Sequence, residues 1–278
     1  MPLQHNTPVE DHRERFGLLV KREDLSCLPP GPPFGKTRGV FAHIAKRPER
    51  VIGVLDTHHS QAGHAVAEAC ALLGKVCVNF YPVRKAERGE ALKPQRQAAQ
   101  SLGAELFALQ AGRSAVLYHE ARKRLQSVPA WQGGYMMPNA LKLPEMITET
   151  VEEVRATLAS TEIPEGLPVL IAASSGTIAA GVIRGFIDAG RKDQGFIVHQ
   201  GYDRSLEAMT NYMNKMMGET GVVLPVRFVN EGYSYGDVAR PGPDPLWPCN
   251  PFYDLKAFRW WMREGRERHG EALLWNIG

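Results

Sequence analysis

The sequence predicts an α/β protein of two doubly wound lobes, each built on a mostly parallel sheet. Two observations lead there. Short continuous apolar runs, of the length of a strand buried on both faces, alternate with segments whose apolar residues recur every three to four positions. The alternation then restarts in the second half of the chain, and strand ends open onto loops rich in Gly, Ser, Thr and His. The expected organisation is a larger lobe of residues 1–46 and 141–278, with a smaller lobe, residues 47–140, inserted in it.

Taken in order, Phe16-Gly17-Leu18-Leu19-Val20 reads as a short strand running into the charged turn Lys21-Arg22-Glu23-Asp24-Leu25. The turn Pro32-Pro33-Phe34-Gly35 then delivers Lys36 to the start of a helix reaching about Lys46. Val51 to Leu55 is a buried parallel strand. The polar loop Asp56 to His64 opens onto a helix in which Ala65, Val66, Ala69, Cys70, Leu72 and Leu73 share a face, with Gly74 as its stop. A strand from Val76 to Tyr81, a helix from about Glu90 to Leu102, a strand from Ala104 to Leu109 and a helix from about Ser114 to Gln126 complete the smaller lobe.

After Tyr135-Met136-Met137-Pro138 comes a longer helix with Ile147, Val151, Val154 and Leu158 on one face and Thr148, Glu149, Glu152 and Glu153 on the other. The strand Val169 to Ala173 runs through Ser174-Ser175-Gly176-Thr177 into the helix Ile178 to Phe186. Phe196 to His199 and Val223 to Val229 are the remaining strands. Arg240 to Pro251 is a Pro-rich loop. A closing helix from about Leu255 to Glu267 follows, with Trp247, Trp260, Trp261 and Trp275 as its core and rim aromatics.

An apolar content of 44%, a charged content of 23% and a net charge of +3 are ordinary for a soluble globular chain and demand no polyanionic partner. No apolar run approaches the ~18 residues of a membrane helix, and Met1 to Asn6 is no signal peptide. Cys27, Cys70, Cys77 and Cys249 form no C-x-x-C pair and read as reduced thiols of a cytoplasmic protein.

Three readings compete for Lys36. It is a surface lysine at a helix start, or part of a P-loop, or a Schiff-base lysine whose amine condenses with an aldehyde cofactor. The P-loop reading of a nucleotide-binding protein fails on count, because three residues and not four separate Gly31 from Gly35. It also fails on chemistry, because Pro32 and Pro33 lack the N–H groups a phosphate cradle uses.

Ser174-Ser175-Gly176-Thr177 lies between a strand and a helix, where free N–H groups and the positive end of the helix dipole converge. With no lysine or arginine in the loop, it suits one monoester phosphate; a plain strand-to-helix turn is the alternative. His58, His59 and His64 invite a metal reading, but no spacing gives a helical i, i+4 pair and no carboxylate or thiolate follows at a ligand interval, so no metal is expected. Ser60 and Gln61 read better as contacts to a bound ring or carboxylate. Tyr233 and Tyr235 follow another strand end, where a hydroxyl can shuttle a proton or two half-buried rings can close a cleft.

In this order the motifs resemble the fold-type II pyridoxal-phosphate enzymes, the tryptophan-synthase-β-like group. They come nearest to the branch of aminocyclopropanecarboxylate deaminase and D-cysteine desulfhydrase. Lys-Arg-Glu-Asp-Leu followed by the Gly35-Lys36-Thr37-Arg38 turn, the Ser60-Gln61 loop before an Ala-rich helix, and Ser175-Gly176-Thr177 before another carry the likeness, over most of residues 16–190. The resemblance implies pyridoxal 5'-phosphate in a cleft between the lobes, with Lys36 as the Schiff-base lysine. It also implies Ser60 facing the substrate carboxylate, Gln61 at the ring hydroxyl, and Ser174, Ser175, Gly176, Thr177 and Ala179 around the phosphate.

Tyr235 corresponds to the active-site tyrosine of the deaminase branch, and Cys249 and Asn250 are candidates by position for the pyridine nitrogen. The implied protein is a homodimeric lyase that eliminates from or deaminates a small amino acid. The departures Pro33-Phe34-Gly35 and Ser60-Gln61-Ala62 put the substrate in doubt. The alternative is an amino acid attached to something larger, such as a modified nucleic-acid base, met by the basic stretch Arg84, Lys85, Arg88, Lys93 and Arg96; the bland reading of that stretch is a solvated helix face.

Overall fold

The computed structural model describes residues 3–57, 59–84, 91–110, 112–191, 193–219 and 225–278. The strands are β1 (Val9–His12), β2 (Leu18–Arg22), β3 (Val51–Leu55), β4 (Val76–Val83), β5 (Glu105–Gln110), β6 (Tyr135–Met136), β7 (Val169–Ala173), β8 (Phe196–Gln200), β9 (Val226–Val229) and β10 (Ala272–Asn276). The helices are α1 (Arg13–Phe16), α2 (Thr37–Ala45), α3 (Ala62–Leu72), α4 (Pro94–Ser101), α5 (Ser114–Ser127), α6 (Pro144–Ser160), α7 (Thr177–Asp188), α8 (Leu206–Met217), α9 (Asp254–Trp260) and α10 (Arg266–His269).

They form two sheets, one of six strands in the order β1-β2-β10-β7-β8-β9 and one of four in the order β5-β4-β3-β6. Every pairing is parallel except β1 on β2. This is the expected α/β class. The apolar strands explain it: all five residues of β7 and all five of β10 are buried, and only a strand covered on both faces by helices reads so. Because β10 lies between β2 and β7, the N-terminal segment and the C-terminal half share one sheet. We propose that the lobes divide along these two sheets, at the bounds the sequence suggests.

Close packing joins α6 to α7. Gly181 and Gly185 of α7 face Thr150 and Val154, and a Cβ at either glycine would lie 2.7 or 2.6 Å from those side chains. The helices therefore meet backbone to side chain, which fixes the start of α7.

The sequence reading departs from the structure in several places. β1, α8 and β10 were not expected, and Trp275 lies on β10, not on a closing helix. Gly270, at φ 73°, ends α10 and turns the chain back into the sheet. Trp260 ends α9, Trp261 opens a π-helical turn, and Trp247 lies outside any helix. The helix expected from Glu90 begins at Pro94, which sits at its first turn. Glu90 itself, like Val223, Leu224 and His58, lies outside the described residues. Of the basic stretch, so do Lys85 and Arg88. Arg96 is buried with its guanidinium 4.4 Å from the Tyr81 ring centroid, so it is a packing group and no part of a solvated face.

Beneath the Lys36 turn lies a buried charge network. Lys21 pairs with Glu153 at 2.6 Å, and Arg38 pairs with Glu23 and stands 3.7 Å from Glu153. The backbone N–H groups of Asn6 and Thr7 donate to Glu153 at 2.9 and 2.8 Å. Burial works against the Glu153 carboxylate, but the Arg38 and Lys21 charges and these donors win and hold its pKa at about 2.

A carboxylate depressed in the fold contributes stability above its ordinary value of 4.5 and loses it as pH falls toward about 2. Wild-type stability should therefore drop across that window. Glu153→Gln should cost about 3–5 kcal/mol near neutrality in urea unfolding, because Lys21 then stays buried without its carboxylate. The same variant should show a shallower acid slope.

Candidate active site

Lys36 is delivered by a backbone that is fixed on both sides. The Gly35 N–H donates to the Ile277 carbonyl at 2.8 Å, tying the turn to the end of β10. The Thr37 hydroxyl donates to the Phe34 carbonyl at 2.7 Å and starts α2. Lys36 lies deep in the protein, with part of its surface open to a cavity of ≈ 830 Å³ that includes a solvent-open mouth. Burial lowers its pKa to about 8, against the pull of the Asp254 carboxylate. Among the described residues no hydrogen bond or ion pair holds its ammonium; the Phe34 ring lies 5.5 Å away.

Across the cavity, β7 ends and α7 begins at Gly176, whose φ of 89° belongs to the left-handed region that glycine adopts freely. A Cβ there would lie 2.9 Å from Met213 Cγ. The Ser175 and Thr177 hydroxyls are 2.9 Å apart, and Thr177 shares a further hydrogen bond of 2.8 Å with the Tyr212 hydroxyl. Arg204 donates to the Ser174 carbonyl at 2.5 Å and steadies the turn from outside.

Lys36, Ser60, Gln61, Ser174, Ser175, Gly176, Thr177, Ala179 and Tyr235 all line this one cavity, whereas Tyr233 is buried outside it and its hydroxyl accepts the Arg240 N–H at 3.2 Å. Ser60 Oγ accepts the Ala62 N–H at 3.0 Å, fixing the loop at the start of α3. The Tyr235 hydroxyl donates to Thr57 Oγ1 at 2.7 Å, crossing from the six-stranded sheet's side to the four-stranded one's. Burial raises the pKa of this phenol, so it stays protonated at neutral pH. Asn250 also lines the cavity. Cys249 does not; its thiol donates to Asn276 Oδ1 at 3.3 Å.

Three features escaped the sequence reading. Asp254, at the start of α9, is 1% exposed and lines the cavity. Burial raises its pKa to about 7, opposed by the Ile277 N–H, which donates to Oδ1 at 3.0 Å. Its position beside Tyr253 in the first turn of a helix was a signal, but a weak one. Tyr212 reaches Thr177 from α8, which the sequence reading lacked. Ala140 and Leu141 line the cavity with φ of 58° and 51°, a left-handed conformation that side chains adopt at a cost of order 1–3 kcal/mol each.

Pyridoxal phosphate fits the residues present. Asp254 Oδ2 and Gln61 Oε1, on two residues that line the cavity, are buried acceptors with no hydrogen-bond partner among the described residues. The Gly176 turn offers amides, hydroxyls and a helix dipole to an anion, and Lys36 offers an amine. No group of three or more His, Cys, Asp or Glu among the described residues could hold a metal ion. His64 Nε2 lies instead 2.9 Å from the Pro30 carbonyl. No helix among the described residues is long and apolar enough to cross a membrane.

Comparison with known proteins agrees with the geometry. No protein-family model matches the chain. A glycyl-dTMP PLP-dependent decarboxylase from Pseudomonas phage M6 is 46% identical over 280 residues, covering 99% of either chain. Among solved structures, an ACC deaminase homologue superposes with a TM-score of 0.79 at 18% identity, covering 100% of this chain and 90% of that one. A fungal L-serine ammonia-lyase from Rhizomucor miehei gives 0.68 at 16% identity, with 100% and 95% coverage. The diaminopropionate ammonia lyase of Escherichia coli gives 0.67 at 15%, with 99% and 83%. These structures share the fold, and the phage decarboxylase carries the kinship: the chain belongs to its family, within the pyridoxal-phosphate-dependent enzymes of fold type II.

Proposed function

We propose that this enzyme removes the carboxylate of a glycyl unit carried on a thymine nucleotide. The observation that supports this most is the 46% identity with the phage enzyme named for that substrate, over 99% of both chains. Decarboxylation thus takes the place of the elimination or deamination first expected, since the deaminases and ammonia-lyases match at 15–18% identity and share only the fold. The larger substrate is the alternative that the altered Ser60-Gln61-Ala62 loop left open. In the same reading the enzyme is a cytoplasmic homodimer, a setting that suits four cysteines without a disulfide.

When bound, pyridoxal phosphate supplies an aldehyde for amines and a protonated ring that accepts the electron pair of a broken bond to the α-carbon. The chain's own residues do the rest. Lys36, held near pKa 8, has about a tenth of its amine free at pH 7, far more than an ordinary lysine, and condensation requires the free amine. Ser175, Gly176 and Thr177, with Ser174 and Ala179, hold the phosphate by amides and hydroxyls.

Gln61 would hold the ring hydroxyl, and the buried Asp254 carboxyl would serve the pyridine nitrogen, the position for which Cys249 and Asn250 had been candidates. Ser60 orients the substrate carboxylate. As carbon dioxide leaves, Lys36 delivers the proton that replaces it at the α-carbon, and Tyr235, protonated at neutral pH, donates a hydrogen bond to the substrate.

Incubating the holoenzyme with glycyl-dTMP should release carbon dioxide and no ammonia. Ammonia release, or turnover of free amino acids in preference, would overturn the reading. Lys36→Ala should lose the yellow band that borohydride bleaches, and turnover should fall by at least about a thousandfold. In apo-enzyme, cofactor uptake should accelerate as pH rises through about 8 and level off above it, as the Lys36 free amine becomes the major form. Stopped-flow absorbance measures this, and a rate flat across that range would exclude Lys36 as the attacking amine.

A further inference from the structure

The mouth of the cavity carries chemistry that the lysine and the anion cradle leave unused. His59, from the loop after β3, stacks on Phe252, from the segment before α9, with ring centroids 3.8 Å apart and planes 23° from parallel. The Tyr235 ring stands 5.9 Å from His59, and Tyr202 meets Tyr235 edge-on at 5.1 Å and 87°. His59 and Tyr235 line the cavity, and Tyr235 is 37% exposed. The His59 and Tyr235 rings line the cleft from its two sides, and Phe252, half-buried, backs the His59 ring from outside the lining. A free glycine or serine has no flat surface to lay against them. A pyrimidine has, and stacking of a base on an aromatic side chain strengthens binding by roughly five- to a hundredfold.

We propose that His59, Phe252 and Tyr235 form a pyrimidine-stacking subsite. It seats the thymine of the substrate at the mouth while the glycyl part reaches Lys36. The proposal rests on the glycyl-nucleotide reading above and adds the residues that select the nucleotide. In this arrangement the base is held by π faces and the amino-acid part by the cofactor site, so the two halves of the substrate are recognised separately.

The test uses holoenzyme and thymidine monophosphate itself, with dissociation constants measured by calorimetry for wild type, Phe252→Ala, His59→Ala and Phe252→Tyr. All four should keep the yellow band, which reports an intact cofactor site. Wild type should bind the nucleotide, either alanine variant should weaken it on the order of tenfold, and Phe252→Tyr should restore it. Deoxyribose 5-phosphate, which lacks the base, should bind more weakly and equally to all four.

With glycyl-dTMP the alanine variants should raise KM and leave kcat little changed, a split that loss of fold would not give. A thymidine oligonucleotide that binds with the same dependence on Phe252, and with a steep salt dependence, would support the subsite with DNA as the source of the base. The subsite is overturned if wild type does not bind thymidine monophosphate, or if both alanine variants bind it as wild type does. Turnover of glycyl-dTMP with that insensitivity would leave decarboxylation standing without the subsite. Nucleotide binding that depends on Phe252 without any turnover would do the reverse.

Discussion

Charges shut away from water govern where Lys36 stands. Lys21, Glu153, Arg38 and Glu23 are all buried, and between them they join β2, the short turn after it, the start of α2 and the face of α6. Arg38 follows Lys36 by two positions, so the register of α2 is set by an ion pair that its neighbour does not share. A buried pair of this kind is weak evidence for stability but strong evidence for geometry, because its members have no acceptable alternative partners once water is excluded. With the turn also pinned by the Gly35–Ile277 hydrogen bond, the Lys36 backbone is over-determined. Its side chain is then free to remain unpaired in the cavity.

That freedom has an electrostatic consequence. Lys36 is lowered to about 8 and Asp254 is raised to about 7, and burial is the main cause of both. Each group is pushed toward its neutral form, so near neutral pH small changes in surroundings decide which carries charge. A cofactor bearing a phosphate and a ring nitrogen would alter both at once. The anion end is separately provided for by the α7 N-terminus and its hydroxyls, which gives the cavity one pole for a phosphate and another for an amine.

Much of this was legible in the sequence where the cause is local. Val51–Leu55 and Val169–Ala173 read as strands because strands covered on both faces are apolar without interruption, and the structure gives the same bounds. Gly176 was legible because small residues at a strand-to-helix turn leave the backbone open to an anion. Lys36, Ser60 and Gln61 were legible as motif residues, and all reach the cavity. What failed is non-local. Trp275 read as an aromatic of the closing helix because nothing near it announces that β10 will slide between β2 and β7. Asp254 gave little signal because the groups that act on it, the Lys36 charge and the Ile277 N–H, come from opposite ends of the chain. Arg96, on α4, read as solvated because the Tyr81 ring that it packs against lies on β4, earlier in the chain.

The same non-locality bears on what distinguishes this enzyme from others of its fold. On the proposed reading, Lys36 and the Ser174–Thr177 turn, on which the resemblance to deaminases partly rests, serve the cofactor and leave substrate choice to other residues. The rim is different. His59 comes from the loop after β3, Tyr235 from the segment beyond β9 and Phe252 from the approach to α9, and only the folded cleft sets their rings together. Substrate choice is, on the proposed reading, a property of these three segments meeting at the cleft. It can therefore change by substitution at the rim while the inner site keeps its chemistry, which is how one fold serves free amino acids in some relatives and, on the proposed reading, a nucleotide-borne glycyl unit here.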